Sequence, residues 1–329
     1  MHAPPVDRYK RRIDYLRLSV TDRCNLRCTY CMPEGGVPKL RHEDVLTYEE
    51  VLRLSLIATH MGITKIRITG GEPLVRKDIV YLCENISRIR GLKSLSITTN
   101  GVLLSHFARS LYDAGIKRVN VSLDTLKPEK YAAITRRDAF RDVWRGIEIA
   151  REVGFSPIKL NVVVMQGVND DEIEDLGRLT YSFPFHVRFI EFMPFRSEEY
   201  YQRFLSADDI LASLSKVAPL IPAESRNSNG PARHYRFPDA IGKIGIISPV
   251  SHHFCPTCNR LRVTADGKLR TCLFSREEMD LKALLRNGES EEAIITAIRE
   301  RIFQKPEKHA LESSLFRKCI SRPMVSIGG

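Results

Sequence analysis

The chain has 329 residues, long enough to bury a sizeable core without disulfide staples, and with nothing directing export its eight cysteines read as thiolates available to metals. The 51 lysines and arginines exceed the 40 aspartates and glutamates by a formal +11, which favours an anionic partner. The opening stretch MHAPPVDRYKRRIDYLRL has no apolar run or cleavage site and no later segment approaches a membrane span, so a soluble cytoplasmic protein is expected.

Between Arg12 and Phe192 short β-branched runs alternate with amphipathic segments, the pattern of parallel βα units. Strands are predicted at Ile13 to Val20, Ile63 to Thr69, Leu95 to Thr99, Arg118 to Leu123, Ile158 to Met165 and Val187 to Phe192. The helix predicted over Tyr48 to Met61 carries Val51, Leu54, Ala58 and Met61 at helical spacing. Periodicity alone leaves an open doubly wound sheet and a curved barrel equally available. The polar groups Thr69-Gly70-Gly71-Glu72, Thr99-Asn100-Gly101, Ser122-Leu123-Asp124 and Glu191-Phe192-Met193 fall at the C-terminal ends of different strands, as at a barrel mouth. The expected fold is therefore α/β, a partial (β/α)6 TIM-like barrel over residues 1–194.

Beyond Pro194 a polar stretch, Glu198 to Gln202, precedes a short helix at Ala207 to Leu214 and a surface loop, Ser225 to Pro231. Strands at Gly242 to Ile247 and Asn259 to Thr264 follow, the second turning at Ala265-Asp266-Gly267 into Lys268 to Leu273. Helices are predicted at Met279 to Arg286 and Glu291 to Phe303. Residues 195–329 read as a smaller α+β domain closing the barrel mouth.

Two cysteine triads stand out. Cys24, Cys28 and Cys31 follow the first strand at C-x3-C-x2-C spacing; Cys255 and Cys258 form a C-x2-C joined by Cys272 from the hairpin. Three thiolates hold a cubane cluster and leave one iron open, while a zinc site would need a fourth ligand, from His42 at the first triad or His252 or His253 at the second. Both readings stand on spacing alone. Arg260 and Arg262 follow the second triad directly, and Arg17 lies inside an apolar strand, where an unpaired charge is costly. Cys83 reads as core, and Cys319 has no assignment.

CNLRCTYC, with an aromatic before the third cysteine, and Thr69-Gly70-Gly71-Glu72-Pro73 resemble the two motifs of the radical S-adenosylmethionine superfamily. The runs KIRITGGEPLVRKD, TTNG, NVSLDTL, KLNVVVMQGVND, RFIEFMP and FCPTCNRLR, with the terminal Gly328-Gly329, resemble the molybdenum cofactor biosynthesis protein A family, the GTP 3',8-cyclases, over essentially the whole chain. The resemblance implies two 4Fe-4S clusters, on Cys24, Cys28 and Cys31 and on Cys255, Cys258 and Cys272, with S-adenosylmethionine chelating the open iron of the first. It implies that a 5'-deoxyadenosyl radical takes hydrogen from C3' of GTP, whose guanine sits on the second cluster, and that the ribose radical closes onto C8. It implies S-adenosylmethionine contacts from Tyr30, Gly71, Ser122 and Met193, with the glycines letting the backbone approach the methionine amino group. GTP contacts are implied from Arg17, Arg67, Thr98, Lys159, Arg260, Leu261 and Arg262, with Lys65 and Arg188 as further contributors. Arginine forks and lysine charges suit a triphosphate. Arg17 is also implied in finishing the cyclised intermediate, and the glycine tail in entering the active site.

The partners so implied are GTP, an electron donor and a cyclic pyranopterin monophosphate synthase that takes the product, with no nucleic acid and no membrane; a homodimer is one admissible state. Two other readings compete: a radical enzyme with an auxiliary cluster that modifies a peptide, and a zinc-ribbon nucleic-acid-binding protein. The first would be expected to carry more C-terminal cysteines than Cys319; the second leaves the first triad and GGEP unexplained.

Overall fold

A computed structural model of the chain describes residues 3–193, 202–223, 230–309 and 322–328. Most of the polar stretch after Pro194, most of the loop at 225–231, Cys319 and Gly329 lie outside them. The chain forms two compact units, one from residues 1–98, 109–117 and 255–329, the other from 99–108 and 118–254. Both units take chain from either side of residue 194.

The six anticipated strands form: β1 (Tyr15–Ser19), β2 (Lys65–Thr69), β3 (Ser94–Thr99), β4 (Val119–Ser122), β5 (Ile158–Val164) and β6 (His186–Glu191). Between them lie α1 (Tyr48–His60), α2 (Ile79–Ser87), α3 (Leu104–Asp113), α4 (Pro128–Thr135), α5 (Phe140–Val153) and α6 (Ile173–Ser182). Helix α1 starts where the sequence provides a capping box. The Glu50 N–H donates to Thr47 Oγ1 (3.2 Å) and the Thr47 N–H to Glu50 Oε2 (2.8 Å), a motif worth about 1 kcal/mol.

After residue 194 come α7 (Ala207–Ser215), β7 (Ile221–Pro222), β8 (Ala232–Arg236), β9 (Lys243–Ile247), β10 (Arg260–Val263), β11 (Lys268–Arg270), β12 (Met279–Asp280), α8 (Leu281–Arg286) and α9 (Glu291–Phe303). In the first unit β1 pairs in parallel with β2, β2 with β3, and β10 lies parallel to β1 on its other side. The hairpin predicted at Ala265 to Gly267 forms, β10 antiparallel to β11, and β12 continues the sheet. In the second unit β4, β5, β6 and β9 are parallel in that order, followed by antiparallel β8 and β7. The late strands thus extend the parallel strands and make no sheet of their own. Helix α8 begins two residues later than expected, because Met279–Asp280 pairs with β11 and the Asp280 carboxylate then caps α8 at the Ala283 N–H (3.0 Å).

Alternation along the strands gives each unit one apolar and one polar face. In the first unit Leu16, Leu18, Ile66, Ile68, Leu261 and Val263 are at most 3% exposed. Leu16, Leu261 and Val263 share an apolar core with Leu54, Ala58 and Met61 near α1 and Ile298 of α9. Each such side chain contributes about 1.5–3 kcal/mol on burial. The opposite face carries Tyr15, Arg17 and Ser19, Lys65, Arg67 and Thr69, Ser94, Ser96 and Thr98, and Arg260, Arg262 and Thr264.

Candidate functional site

The first triad sits on the loop that leaves β1. Cys24, Cys28 and Cys31 are half-buried and form no disulfide, and the Cys31 N–H closes a turn on the Cys28 carbonyl (3.0 Å). The GGEP element is laced to the base of this loop: the Gly71 N–H donates to the Thr21 carbonyl and the Glu72 N–H to that of Arg23, each at 2.8 Å. A Cβ on Gly71 would lie 2.5 Å from the Arg23 oxygen and 2.9 Å from that of Asp22. The glycine requirement visible here is backbone packing under the cysteine loop.

The second triad lies at the other end of the same strands. Cys258 precedes Arg260, the first residue of β10, and Cys272 follows β11, whereas the first triad lies past the end of β1. The Cys258 N–H donates to the Cys255 carbonyl (3.1 Å). Among the buried cations that hold this region are Arg11 and Lys305, and neither shows a local signal in the sequence. Arg11 pairs with Asp7 (2.6 Å) and donates to the carbonyls of Cys255 (2.9 Å), Pro306 (2.6 Å) and Glu307 (2.8 Å). Lys305, 2% exposed, donates to the carbonyls of Arg260 (3.1 Å) and Thr271. At a helix C-terminus it reads in sequence as a solvated lysine.

Burial raises the Cys258 thiol, but Lys305 first, then Arg260 and Arg262, outweigh it and leave the thiol below its usual range. Burial keeps the Cys255 thiol raised. Buried Cys83 is pushed up to about 12 by desolvation, as an inert core thiol should be. Among the described residues no three Cys, His, Asp or Glu side chains are gathered as around a single metal ion. His42 is exposed, and His252 pairs with Asp208 (2.9 Å). Three cysteines per site outside any disulfide, with cations at the second, fit the donor set of an iron-sulfur cluster held by three cysteines.

Between the triads runs a cationic face. Arg17 stands in register with Arg262 on one side and Arg67 on the other; one step earlier Tyr15 stands between Arg260 and Lys65. Arg17 and Arg262 are 9% and 8% exposed. Burial first, then Arg262, pulls Arg17 well below the usual arginine value; burial, then Arg260, holds Arg262 down at about 10. Arg67 is lowered by burial, lies over the Tyr15 ring (5.4 Å) and donates to Ser96 Oγ (3.2 Å). Arg17, Arg67 and Arg262 lie within the strands and not at their C-terminal ends. Leu261 points to the opposite, apolar face at 1% exposure, so only its main chain is left for the polar side.

The tail reaches this face. Gly328 accepts from Arg17 Nη2 (3.2 Å) at a φ of +78°, and a Cβ there would lie 2.8 Å from Thr69 Oγ1 and 2.9 Å from Ser19 Cβ. Thr98 is on the polar face of β3 and Tyr30 lies within the first cysteine loop. In the second unit Ser122 ends β4, Lys159 and Arg188 lie on the polar faces of β5 and β6, and Met193 follows β6. Two polar residues of the expected rim are committed to the backbone instead. Glu191 accepts from the N–H groups of Ala207 (2.8 Å), Val250 (2.8 Å) and Ser251 (3.0 Å), and Asp124 accepts from that of Val163 (2.8 Å).

Residues 18–180 match the family model of the radical SAM superfamily, and residues 185–311 that of Molybdenum Cofactor Synthesis C. The chain is 49% identical over 327 residues to the GTP 3',8-cyclase of Peptoclostridium acidaminophilum, covering 98% of each chain. It is 49% identical to that of Thermodesulfovibrio yellowstonii over 98% of this chain and 99% of the relative, and 47% to that of Moorella thermoacetica over the same shares. Among solved structures, Streptococcus suis SuiB bound to its precursor peptide SuiA aligns with TM-score 0.61 at 13% identity, over 94% of this chain and 75% of that one. SuiB bound to S-adenosylmethionine gives 0.57 at 14% identity, over 91% and 71%. The fold is thus the partial (β/α)6 barrel that the polar strand ends implied. With near-full-length identity to several cyclases and both family models in sequence order, the chain belongs to the GTP 3',8-cyclase family of radical SAM enzymes.

Proposed function

We propose that the chain converts GTP into 3',8-cyclo-7,8-dihydro-GTP, the first step of molybdenum cofactor biosynthesis, using S-adenosylmethionine and two 4Fe-4S clusters. The observation that carries this reading is the order along β1 and β10: a three-thiol site beyond each end, with a cationic face between. Strands of this length separate the two ends by roughly 13 Å, room for a nucleotide. When bound, the first cluster and S-adenosylmethionine supply a 5'-deoxyadenosyl radical, and the second cluster an open iron for the guanine.

The protein's own part is placement. Arg17, Arg67, Arg260 and Arg262 are clustered cations whose mutual repulsion a triphosphate relieves, and guanidinium forks fix its oxygens more rigidly than point charges would. Thr98, Lys159 and the main chain at Leu261 complete the GTP set, with Lys65 and Arg188 as further contributors. Tyr30, Gly71, Ser122 and Met193 are assigned to S-adenosylmethionine. Arg17, held by the Gly328 carbonyl, is aimed along the polar face and is assigned to finishing the cyclised product. A reacting ribose held still gains by orientation, and exclusion of water protects the radical.

The division at residues 194 and 195, an external electron donor, a downstream cyclic pyranopterin monophosphate synthase, a cytoplasmic location and a homodimer belong to the same proposal. Among the described residues no helix is long and apolar enough to cross a membrane. Anaerobic reconstitution followed by reductant, S-adenosylmethionine and GTP tests it, with mass spectrometry as readout. The expected result is 5'-deoxyadenosine formed only with GTP, together with an isomer of GTP. Cleavage indifferent to GTP, or a peptide as the only effective co-substrate, would reject it.

A further inference from the structure

Two histidines of the second unit have no task in the site described above. His186 opens β6 and His234 sits in β8, both on the polar face of their sheet. The register sets Lys159, His186 and Lys243 in one row across β5, β6 and β9, and Arg188, Gly245 and His234 in the next. Gly245 keeps the second row open: a Cβ there would stand 3.1 Å from Arg188 Cγ and 3.7 Å from His234 Nδ1. The two imidazoles lie with centroids 6.5 Å apart at 67°, and among the described residues neither buried Nδ1 has a hydrogen-bond partner.

Among the described residues, Lys159 from β5, Arg188 from β6 and Lys243 from β9 act on both rings, and His234 acts on His186 as well. Burial first, then these cations, holds His186 down at about 3 and His234 at about 4, so both rings are neutral in the empty chain at physiological pH. An arriving polyanion would neutralise the cations and accept N–H bonds from the rings, which reverses both influences that keep them unprotonated.

We propose that this face binds a polyphosphate and that His186 and His234 are phosphate ligands that take up protons as the anion binds. The inference rests on the GTP reading only for the identity of the natural anion, the triphosphate of GTP. It adds two ligands to that set and makes nucleotide binding proton-linked: affinity gains from falling pH wherever the bound form holds more protons.

Calorimetry on the reconstituted protein tests it, with inorganic tripolyphosphate and GTP titrated separately at pH 6.5 and 8.5 in buffers of different ionisation enthalpy. Wild type is compared with His186→Asn, His234→Asn and the double variant. The anion's own terminal phosphate titrates in the same range, so the difference between wild type and variant is the quantity read.

Wild type should take up about half a proton or more beyond the double variant at pH 6.5. The variant should lose roughly tenfold in tripolyphosphate affinity at that pH and less than about twofold at pH 8.5. Equal proton counts, or the same affinity loss at both pH values, would overturn the proposal. If the double variant does not fold, each single variant carries the same comparison. Tripolyphosphate binding with uptake but no GTP binding would reject the GTP reading alone; GTP binding without histidine-dependent uptake would reject this inference alone.

Discussion

Arg17→Met separates the demands of binding from those of folding. Arg17, Arg67 and Arg262 hold matching positions on adjacent parallel strands. With strands about 4.8 Å apart, guanidinium charges roughly 6 Å from one another repel by about 2–3 kcal/mol per pair at an effective dielectric near 20. The hydrogen bond from Arg17 to the Gly328 carbonyl returns about 1.5–3 kcal/mol. Methionine keeps an unbranched side chain in the space and removes the charge. Relieved of two such pairs, the nucleotide-free protein should therefore gain about 1–4 kcal/mol, a Tm increase of roughly 1–6 °C for a chain of this length. Triphosphate binding should move the other way, because removing one partner of a desolvated charge pair costs about 2–5 kcal/mol, roughly 30- to 4,000-fold in Kd. Thermal unfolding of the anaerobic protein and calorimetry with GTP read the two effects. A lower Tm with an unchanged GTP Kd would show that Arg17 is a structural cation and refute the reasoning.

Gly71→Ala should destabilise by about 1–3 kcal/mol and release iron from the first site, since its Cβ must displace the Arg23 backbone; Tm and iron content check both. Gly328→Ala should leave iron unchanged and lower product formation by at least roughly tenfold, since the tail has no room for a Cβ at a positive φ, and turnover assays with iron analysis read this. For pH, His186 and His234 have folded values below the usual 6.5, so between about 3 and 6.5 the unfolded chain binds more protons than the folded one. Their contribution to stability is present above pH 6.5 and is lost as pH falls through that window. Replacing both with asparagine should shift the acid unfolding midpoint, followed by circular dichroism, to lower pH.

The strands of the barrel were legible because buried parallel strands are runs of β-branched residues, and their ends fell within two residues of expectation. The cysteine triads were legible because thiolate spacing is a local property. Pairing partners are not local, so nothing in Arg260 to Val263 announced that this strand would lie beside β1. That one pairing is what sets the triads at opposite ends and brings Arg262 level with Arg17. The resemblance sets Leu261 beside its arginine neighbours at GTP, and alternation along the strand turns its side chain to the other face, which sequence likeness alone does not display. Arg11 and Lys305 escaped notice because their partners are backbone carbonyls far along the chain, which no motif encodes. Glu191 looked like a rim residue, but its carboxylate ties backbone N–H groups of three other residues to the end of β6.

On the proposed reading, this polar face presents the C3' hydrogen of a bound GTP to the radical derived from S-adenosylmethionine. Turnover with GTP deuterated at C3', followed by mass spectrometry of the 5'-deoxyadenosine, tests it most directly. The deuterium is expected to appear in the 5'-deoxyadenosine and to be missing from the cyclised nucleotide. Unlabelled 5'-deoxyadenosine beside a nucleotide that keeps its deuterium would contradict it.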